Sequence, residues 1–368
     1  MHKPVNILVS GGGTGGHIFP AIAIANGIKK RIPEANILFV GAKGRMEMEK
    51  VPAAGYQIEG LWISGIQRKL SLKMLIFPFK LISSLLKSRR IIRKHKPDAV
   101  IGTGGYASGP LLYVAASKKI PTLILEQNSY PGITNKLLGK KVDKICVAYE
   151  SLKKYFPEDK MVVTGSPIRE EINHLKVTRE EGIKHFGLDP GKTTILVIGG
   201  SQGAQKINRA IAENLDKIVS GNTQLIWQTG PFCKKAAVVS VDMAKKQDTV
   251  KVVDFITRMD LAYAAADLII SRAGAIAIAE IVAVDKPAIF VPLPSAAEDH
   301  QTKNALALVE GKAAVMISEN ELEEKLPSVI NDLMAYESNR LVMVQNLKRF
   351  KHPEATEKIV DEIMNMIK

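Results

Sequence analysis

Short apolar runs alternate along the chain with longer stretches of helical periodicity. Runs rich in Val, Ile and Leu occupy residues 7–9, 37–40, 98–102, 121–128 and 144–148 in the first half, and 193–200, 223–230, 250–255, 267–274 and 287–292 in the second. Apolar runs of this length, separated by helical stretches, are typical of strands buried on both faces of a parallel sheet. The alternation therefore predicts βαβ units through the chain.

The pattern divides the chain into two similar halves. It pauses near residue 165, and ILVSGGGTGGH in the first half corresponds to ILVIGGSQGAQ in the second. We therefore predict an α/β fold of two Rossmann-like parallel-sheet domains facing a cleft, with residues 1–164 and 345–368 in the first domain and 165–344 in the second. The stretch 354–368 has a helical pattern, and we expect it to cross back onto the first domain.

A glycine-rich turn follows the first predicted strand. Five glycines occupy six positions between residues 11 and 16, and a helix is expected from Pro20 onward. A strand, glycine turn and helix expose backbone N–H groups at a positive helix end, which attracts phosphate. The turn also matches G-x-G-x-x-G, but no carboxylate follows the next strand, so NAD is disfavoured. NADP, bound through Lys43 or Arg45, remains an alternative.

His17 is the only titratable side chain between this turn and the helix. An imidazole can accept a proton near neutral pH, so His17 is a candidate general base beside a bound substrate. The alternative is a histidine that only caps or packs the start of the helix.

Composition narrows the class of partner. The chain has 368 residues, with 51 Lys and Arg against 37 Asp and Glu, a formal net charge of +14. This charge suits nucleic acid, an anionic membrane surface or phosphate-rich substrates. There is no RNA-binding signature, so nucleic acid is not predicted as a partner.

Cysteine usage and hydropathy indicate the compartment. Two distant cysteines with no C-x-x-C predict neither a disulfide framework nor a zinc site. The apolar run at the N-terminus is too short for a signal peptide, and no apolar run has the ~20 residues that span a bilayer. We expect a cytoplasmic protein.

Further motifs follow in a fixed order: GTGGYASGP (102–110), EQN (126–128), GSPIR (165–169), GGSQGA (199–204), SRAGAIAIAE (271–280) and DHQTKNA (299–305). With both glycine turns, the chain resembles the MurG family of glycosyltransferases essentially from end to end. These inverting enzymes move N-acetylglucosamine from UDP-N-acetylglucosamine (UDP-GlcNAc) to the C4 hydroxyl of N-acetylmuramic acid in lipid I, the undecaprenyl-pyrophosphoryl-linked pentapeptide sugar. The product is lipid II, for peptidoglycan synthesis. The resemblance implies the GT-B fold.

The resemblance places the acceptor in the first domain. A second glycine turn follows the strand at 98–102, and two such turns suit a diphosphate. The implied pyrophosphate contacts are Gly13, Gly104, Gly105 and Tyr106. The alternative is that the turns are needed only for packing.

Two further candidate site residues of the first domain lie at the end of the strand at 121–128. Open sheets bind ligands at the carboxyl ends of their strands. The resemblance gives Asn128 a substrate contact. It leaves Glu126 as a second candidate base or as a group that orients His17.

The donor contacts implied by the resemblance lie mainly in the second domain. They are Thr14, Gly15, Gly16, Asn128, Arg169, Ser201, Gln202, Gly203, Phe255, Ile256, Ala275, Glu280, His300 and Gln301. For Arg169 the alternative is a surface arginine, and for Phe255 and Ile256 it is an ordinary core position.

Glu280 is the most informative of these residues. The helix predicted over 275–284 is apolar except for Glu280, so we expect the helix to be buried and its carboxylate to need partners. A ribose diol offers two hydroxyl donors, and a neighbouring arginine is the alternative. The start of this helix, near Gly274 and Ala275, would stabilise departing UDP.

The chain has no Asp-x-Asp pair, which metal-dependent sugar-nucleotide transferases usually need. We therefore expect no essential cofactor and, at most, stimulation by a divalent cation such as Mg²⁺.

Residues 61–96 combine large apolar side chains with many Lys and Arg. Such a segment suits a helix or loop lying at a membrane interface, as a lipid-linked acceptor requires. We expect Leu75, Ile76, Phe77 and Phe79 to contact lipid, and the protein to be peripheral on the cytoplasmic face of the cell membrane. The alternative is a core-facing amphipathic helix with a solvated basic face.

Three other functions remain open at this point. A related UDP-sugar enzyme, such as a glycolipid transferase or a UDP-GlcNAc epimerase, would share the fold. An NADP-binding oxidoreductase could use the first glycine turn. A non-catalytic sugar-nucleotide-binding protein would bind donor without turnover.

Overall fold

The computed structural model describes residues 4–65, 72–200 and 202–367, and for residues 72–74 it describes the backbone alone. The chain divides into two compact units, residues 1–169 with 354–368 and residues 170–353. The sequence-based boundaries lie at 164 and 344. Among the described residues, no helix is both long and apolar enough to cross a membrane.

The first unit is built on a seven-stranded sheet, and all of its strand pairs are parallel. Its strands are β1 (Asn6–Ser10), β2 (Asn36–Ala42), β3 (Gln57–Leu61), β4 (Ala99–Gly102), β5 (Thr122–Glu126), β6 (Lys144–Val147) and β7 (Met161–Val163). Its helices before residue 169 are α1 (Gly15–Arg31), α2 (Glu47–Ala53), α3 (Leu72–His95), α4 (Ser108–Ser117) and α5 (Ile133–Gly139).

The second unit is built on a six-stranded sheet, again with parallel pairs. Its strands are β8 (Thr193–Ile198), β9 (Thr223–Gln228), β10 (Val250–Val253), β11 (Leu268–Ser271), β12 (Ala288–Phe290) and β13 (Val315–Met316). Its helices are α6 (Glu170–Asn173), α7 (Arg179–Phe186), α8 (Gln205–Glu213), α9 (Leu215–Ile218), α10 (Lys234–Met243), α11 (Met259–Ala265), α12 (Ala275–Ala283), α13 (His300–Glu310), α14 (Leu322–Ala335) and α15 (Glu337–Leu347).

The last helix, α16 (Ala355–Ile367), belongs to the first unit. Ile359, Val360 and Ile363 are buried against the β1 and α1 side chains of that unit. The predicted return of the C-terminal stretch is confirmed. The predicted parallel sheets are also confirmed, although the short strands β3, β7 and β13 were missed.

Helix α1 begins earlier than the sequence indicated. Its first residue is Gly15, so Pro20 lies inside the helix and not in its first turn. The carbonyl of Thr14 accepts the first backbone N–H groups, from His17 at 3.1 Å and Ile18 at 3.3 Å. Because proline has no N–H, the carbonyl of Gly16 lacks the donor that would normally come from position 20. The helix therefore starts within the glycine turn itself.

Candidate active site

Both glycine turns of the first unit lie at the point where its strand order reverses. The order is β3-β2-β1-β4-β5-β6-β7, so β1 and β4 are neighbours and the chain leaves them in opposite directions. The first turn follows β1 and the second follows β4. Parallel α/β sheets bind ligands at this position, beyond the carboxyl ends of the strands.

The two turns press against each other, and their glycines make this possible. A Cβ atom added at Gly105 would lie 2.2 Å from the carbonyl oxygen of Gly12, and one at Gly11 would lie 2.0 Å from the Thr103 hydroxyl. Gly104 and Gly105 also have φ values of +103° and +81°. Close packing of the two turns therefore explains part of the glycine pattern, whether or not the turns also bind an anion.

His17 is held by the second turn. Its Nδ1 atom lies 2.9 Å from the carbonyl oxygen of Thr103, and the Thr103 hydroxyl donates to the carbonyl of His17 at 2.7 Å. A carbonyl oxygen only accepts, so Nδ1 carries the proton and Nε2 is the basic nitrogen of the neutral ring. The buried side chain of Gln127 donates to the same Thr103 oxygen at 3.2 Å.

Glu126, the second candidate base, has a different environment. It is 2% exposed. One oxygen accepts from the backbone N–H and the side-chain amide of Asn128, both at 3.1 Å, and the other accepts from Gly132 N at 3.0 Å and Asn135 Nδ2 at 2.9 Å. Four donors on one carboxylate fix its orientation and hold the loop after β5. The geometry therefore favours a positioning role over proton transfer.

Sequence reasoning missed Glu47, the first residue of α2. Its side chain is fully buried and accepts from Gly13 N at 3.1 Å and Ala42 N at 3.0 Å. The N–H of Gly13 is therefore directed at Glu47 and not outward, which corrects the basis on which Gly13 was predicted to bind pyrophosphate. The sequence has no carboxylate directly after β2. In the structure Glu47, five residues after the last residue of β2, places a carboxylate at this turn.

Tyr106 lies over the first turn, where a Cβ at Gly13 would be 3.2 Å from its ring. Burial raises the pKa of its hydroxyl, and the charge and hydrogen bond of Arg45 oppose that shift. The structure thus places Tyr106, Gly13 and Arg45 together at the first glycine turn.

The second unit repeats the arrangement of the first. Its strand order is β10-β9-β8-β11-β12-β13, so the reversal lies between β8 and β11. The turn 199–204 follows β8, and helix α12 follows β11. A Cβ at Gly203 would lie 2.0 Å from the carbonyl oxygen of Thr229, so this glycine is required by packing. Gln202 is exposed, and Ser201 lies outside the described residues.

Glu280 lies on α12 and is 5% exposed. The hydroxyl of Tyr263 donates to its Oε2 atom at 3.0 Å. A tyrosine on α11 is thus one partner of this carboxylate. The helix is not buried all round, because Ala275, Ile276 and Ala277 in its first turn are half-exposed.

Side chains after β11 and β12 fix the start of α12. Arg272 donates to the carbonyls of Val291 and Pro292, both at 3.1 Å, and forms an ion pair with Glu319. The buried amide of Asn304 donates to the carbonyl of Ala273 at 3.3 Å. The backbone around Gly274 is therefore held from two sides.

Helix α13 supplies two of the predicted sugar contacts. The Oε1 atom of Gln301 accepts from Leu293 N at 3.0 Å, which leaves the amide nitrogen as its donor group. His300 Nδ1 donates to the carbonyl of Ala297 at 2.6 Å. Both side chains are fixed by the loop that precedes the helix.

The remaining donor candidates differ in exposure. Phe255 is 57% exposed after β10, whereas Ile256 is 5% exposed and part of the core. Arg169 is half-buried and is the last residue of the first unit before α6. The exposed side chain of Phe255 can stack on a planar ligand, whereas the side chain of Ile256 packs inside the unit.

Helix α3 divides its apolar residues between two faces. Leu75, Phe79, Ile82 and Leu86 follow helical spacing and are 57–69% exposed, with Ile76 beside them at 45%. Phe77 lies on the other face and packs against the core of the first unit. Phe77 is half-buried, so part of its side chain is taken up by this packing, and its contact with lipid stays a prediction.

Two family models match the chain. The glycosyltransferase family 28 N-terminal domain matches residues 7–147, and the family 28 C-terminal domain matches residues 194–359. Together they cover most of its length. The chain belongs to glycosyltransferase family 28.

Relatives that match over nearly the full chain carry the name UDP-N-acetylglucosamine–N-acetylmuramyl-(pentapeptide) pyrophosphoryl-undecaprenol N-acetylglucosamine transferase. The protein of that name from Christiangramia forsetii is 53% identical over 100% of this chain and 99% of its own. That from Flavobacterium psychrophilum is 51% identical over 98% and 97%. The crystal structure of MurG from Acinetobacter baumannii is 30% identical, with a TM-score of 0.78 over 98% of this chain and 100% of its own.

Family 28 membership confirms two sequence-based predictions. The fold is that of a GT-B glycosyltransferase with two parallel-sheet α/β domains, and the protein is an enzyme of the glycosyltransferase class. The oxidoreductase and non-catalytic alternatives are thereby set aside.

Proposed function

We propose that this family 28 enzyme transfers N-acetylglucosamine from UDP-GlcNAc to the C4 hydroxyl of N-acetylmuramic acid in lipid I, with inversion, to form lipid II. The observation that carries the proposal is the position of His17, which stands between two packed glycine turns with Nε2 as its basic nitrogen. The relatives that carry this activity in their names match over essentially the full chain.

In the proposed reaction, Nε2 of His17 accepts the proton of the acceptor C4 hydroxyl. The hydroxyl oxygen attacks the anomeric carbon of the donor sugar as the bond to the diphosphate breaks. UDP departs with the bonding electron pair, so one glycosidic bond forms and one sugar–phosphate bond is lost. General base catalysis of this kind typically contributes about 10²–10⁴-fold to the rate.

The second unit supplies the groups that suit a nucleotide diphosphate. Helix α12 begins at Ala275 with a half-exposed first turn, and the backbone there is held by Arg272 and Asn304. Its N-terminal amides would stabilise the charge that develops on departing UDP. The carboxylate of Glu280, oriented by Tyr263, would accept hydrogen bonds from the ribose hydroxyls.

Backbone amides at the start of α12 could offset the charge of a diphosphate, and the sequence has no Asp-x-Asp pair of the kind that metal-dependent transferases use. We therefore propose that no cofactor is essential and that Mg²⁺ only stimulates. Transfer measured in excess EDTA should persist at a reduced rate, and complete loss with recovery on adding Mg²⁺ would overturn this point.

The lipid-linked acceptor requires the enzyme to reach a membrane surface. The exposed stripe of Leu75, Phe79, Ile82 and Leu86 on α3 ends near Arg89, Arg90 and Arg93, which are also exposed. An apolar stripe beside cationic side chains suits an anionic bilayer. We propose peripheral attachment to the cytoplasmic face of the cell membrane through this helix.

The deciding experiment measures transfer of radiolabelled N-acetylglucosamine from UDP-GlcNAc to a lipid I analogue. Wild-type enzyme should form the disaccharide product, and His17→Ala should bind UDP-GlcNAc normally but transfer slowly. Conversion of UDP-GlcNAc to an epimer, or binding without transfer to any lipid acceptor, would overturn the proposal.

A further inference from the structure

A buried carboxylate lies behind the first glycine turn, in a region expected to bind an anion. Glu47 has no exposed surface, and its Oε1 and Oε2 atoms accept backbone N–H groups from Ala42 and Gly13 at 3.0 and 3.1 Å. The reaction proposed above gives this side chain no task. It therefore requires an explanation of its own.

The fit around Glu47 is close on two sides. A Cβ added at Gly12 would lie 2.2 Å from its Oε1 atom, and one added at Gly41 would lie 2.6 Å from its Cγ atom. Both glycines thus leave room for this side chain. Glu47 joins the end of β2 to the turn after β1, and it does so through both of its oxygens.

The charge of Glu47 also restricts where an anion can bind. The Gly13 N–H already donates a hydrogen bond to the carboxylate of Glu47. A phosphate that accepted a hydrogen bond from the same N–H would lie next to that carboxylate, and the two negative charges would repel. The amides of Gly15 and Gly16, in the first turn of α1, lack intrahelical acceptors by position and stand at the positive end of a 17-residue helix.

We propose that Glu47 is a positioning residue that holds the first glycine turn and withholds the Gly13 amide from the substrate diphosphate. The diphosphate is then bound by the amides at the start of α1. This inference rests on the proposed function for the identity of the substrates. The diphosphate belongs either to the nucleotide donor or to the lipid acceptor, and separate KM values distinguish the two.

The test compares Glu47→Gln with Glu49→Gln. Glutamine has nearly the shape of glutamate but only one acceptor oxygen, so its NH2 group must face one of the two backbone N–H groups. Glu49 lies on the same helix with its side chain 77% exposed and pairs with Lys50, so its variant controls for the loss of one charge.

Two readouts are needed on the full-length enzyme. Hydrogen–deuterium exchange of the peptide covering residues 10–17 should become faster in Glu47→Gln and stay unchanged in Glu49→Gln. The KM for one diphosphate substrate should rise at least tenfold in Glu47→Gln, with the KM for the other within twofold of wild type.

Several results would overturn the proposal. Unchanged exchange would show that Glu47 does not hold the turn, and faster exchange with both KM values unchanged would show a merely structural role.

If Glu47→Gln does not fold, Gly12→Ala provides a second route, because its new methyl group displaces the carboxylate and should produce the same two changes. Wild-type transfer is measured first, so its absence counts against the proposed function and leaves the exchange result as the test of Glu47.

Discussion

The carbonyl oxygen of Thr103 accepts a hydrogen bond from Nδ1 of His17 at 2.9 Å, and this bond selects Nε2 as the basic nitrogen. We expect His17→Asn to preserve the bond, because its side-chain amide can donate from a similar position, but to remove the base. The value of kcat should fall by about 10²–10⁴-fold with the KM for UDP-GlcNAc unchanged. Steady-state kinetics and a thermal unfolding curve check this prediction. A kcat close to that of wild type would exclude His17 as the base.

Glu126→Gln separates the two candidate bases. Because its carboxylate accepts four hydrogen bonds, the substituted amide would leave two donors facing an NH2 group. We expect the free energy of unfolding to fall by about 2–4 kcal/mol, and kcat to fall much less than in His17→Asn. Denaturant unfolding and kinetics of the two variants provide the measurement. Full stability with a His17-like loss of kcat would instead make Glu126 the base.

Glu280→Gln tests the ribose contact, with Tyr263→Phe as the matched control. Losing a hydrogen bond to a charged group costs about 1.5–3 kcal/mol, so the Kd for UDP should rise roughly tenfold or more. Tyr263→Phe removes the 3.0 Å bond that orients the carboxylate and should have a smaller effect. Calorimetric titration with UDP measures both. A normal Kd in Glu280→Gln, with a lower melting temperature, would leave Glu280 a purely structural role.

The exposed stripe on α3 predicts membrane binding. Replacing Leu75, Phe79, Ile82 and Leu86 by serine should weaken binding to vesicles containing anionic lipid by about a hundredfold or more, since each buried apolar side chain contributes about 1.5–3 kcal/mol. Vesicle co-sedimentation gives the partition coefficient. Serine at the exposed Leu341 and Val342 of the second unit provides the control, and equal binding by both variants would contradict the prediction.

Cys146 and Cys233 should differ in reactivity. Burial raises the pKa of the Cys146 thiol from 9.0 to about 12, whereas Cys233 is only half-buried. At pH 9 iodoacetamide should therefore label Cys233 and spare Cys146, as peptide mass spectrometry would show. The pKa of the Cys146 thiol is about 9.0 in the unfolded chain and about 12 in the folded protein. The stability that its un-ionised thiol contributes is therefore fully present below pH 9 and is lost as the pH rises toward 12. Rapid labelling of Cys146 would contradict its burial.

The sequence predicted the architecture well because parallel strands buried on both faces have continuous Val, Ile and Leu runs. Strands β1, β8 and β11 are of this kind. The strand β3, with Gln57 and Glu59 in its five residues, lacks the run and was missed. Helix α12 was expected to be buried because it is apolar, but its first turn lies at the strand ends, where a ligand and not the core would cover it.

The sequence predicted the site residues less completely than the fold. His17 was recognisable because it interrupts a glycine turn, but its bond to Thr103 depends on two strands becoming neighbours. Glu47 stands in a stretch of alternating charged and apolar residues that reads as an exposed helix, and nothing local shows that the side chain turns inward. Phe77 and Phe79 lie two residues apart in the same apolar run, so the local sequence does not distinguish them. The orientation of α3 turns Phe77 toward the core and Phe79 toward the surface.

Helix α16 has a consequence for how the protein is made. The chain must be synthesised through residues 359–363 before β1 and α1 can complete their packing, although β1 leaves the ribosome first. The second unit, by contrast, is contiguous and has all of its strands once residue 316 has emerged. The half of the molecule translated first is therefore the half that finishes folding last, and a chain terminated just after residue 353 would carry a complete second unit and an incomplete first one.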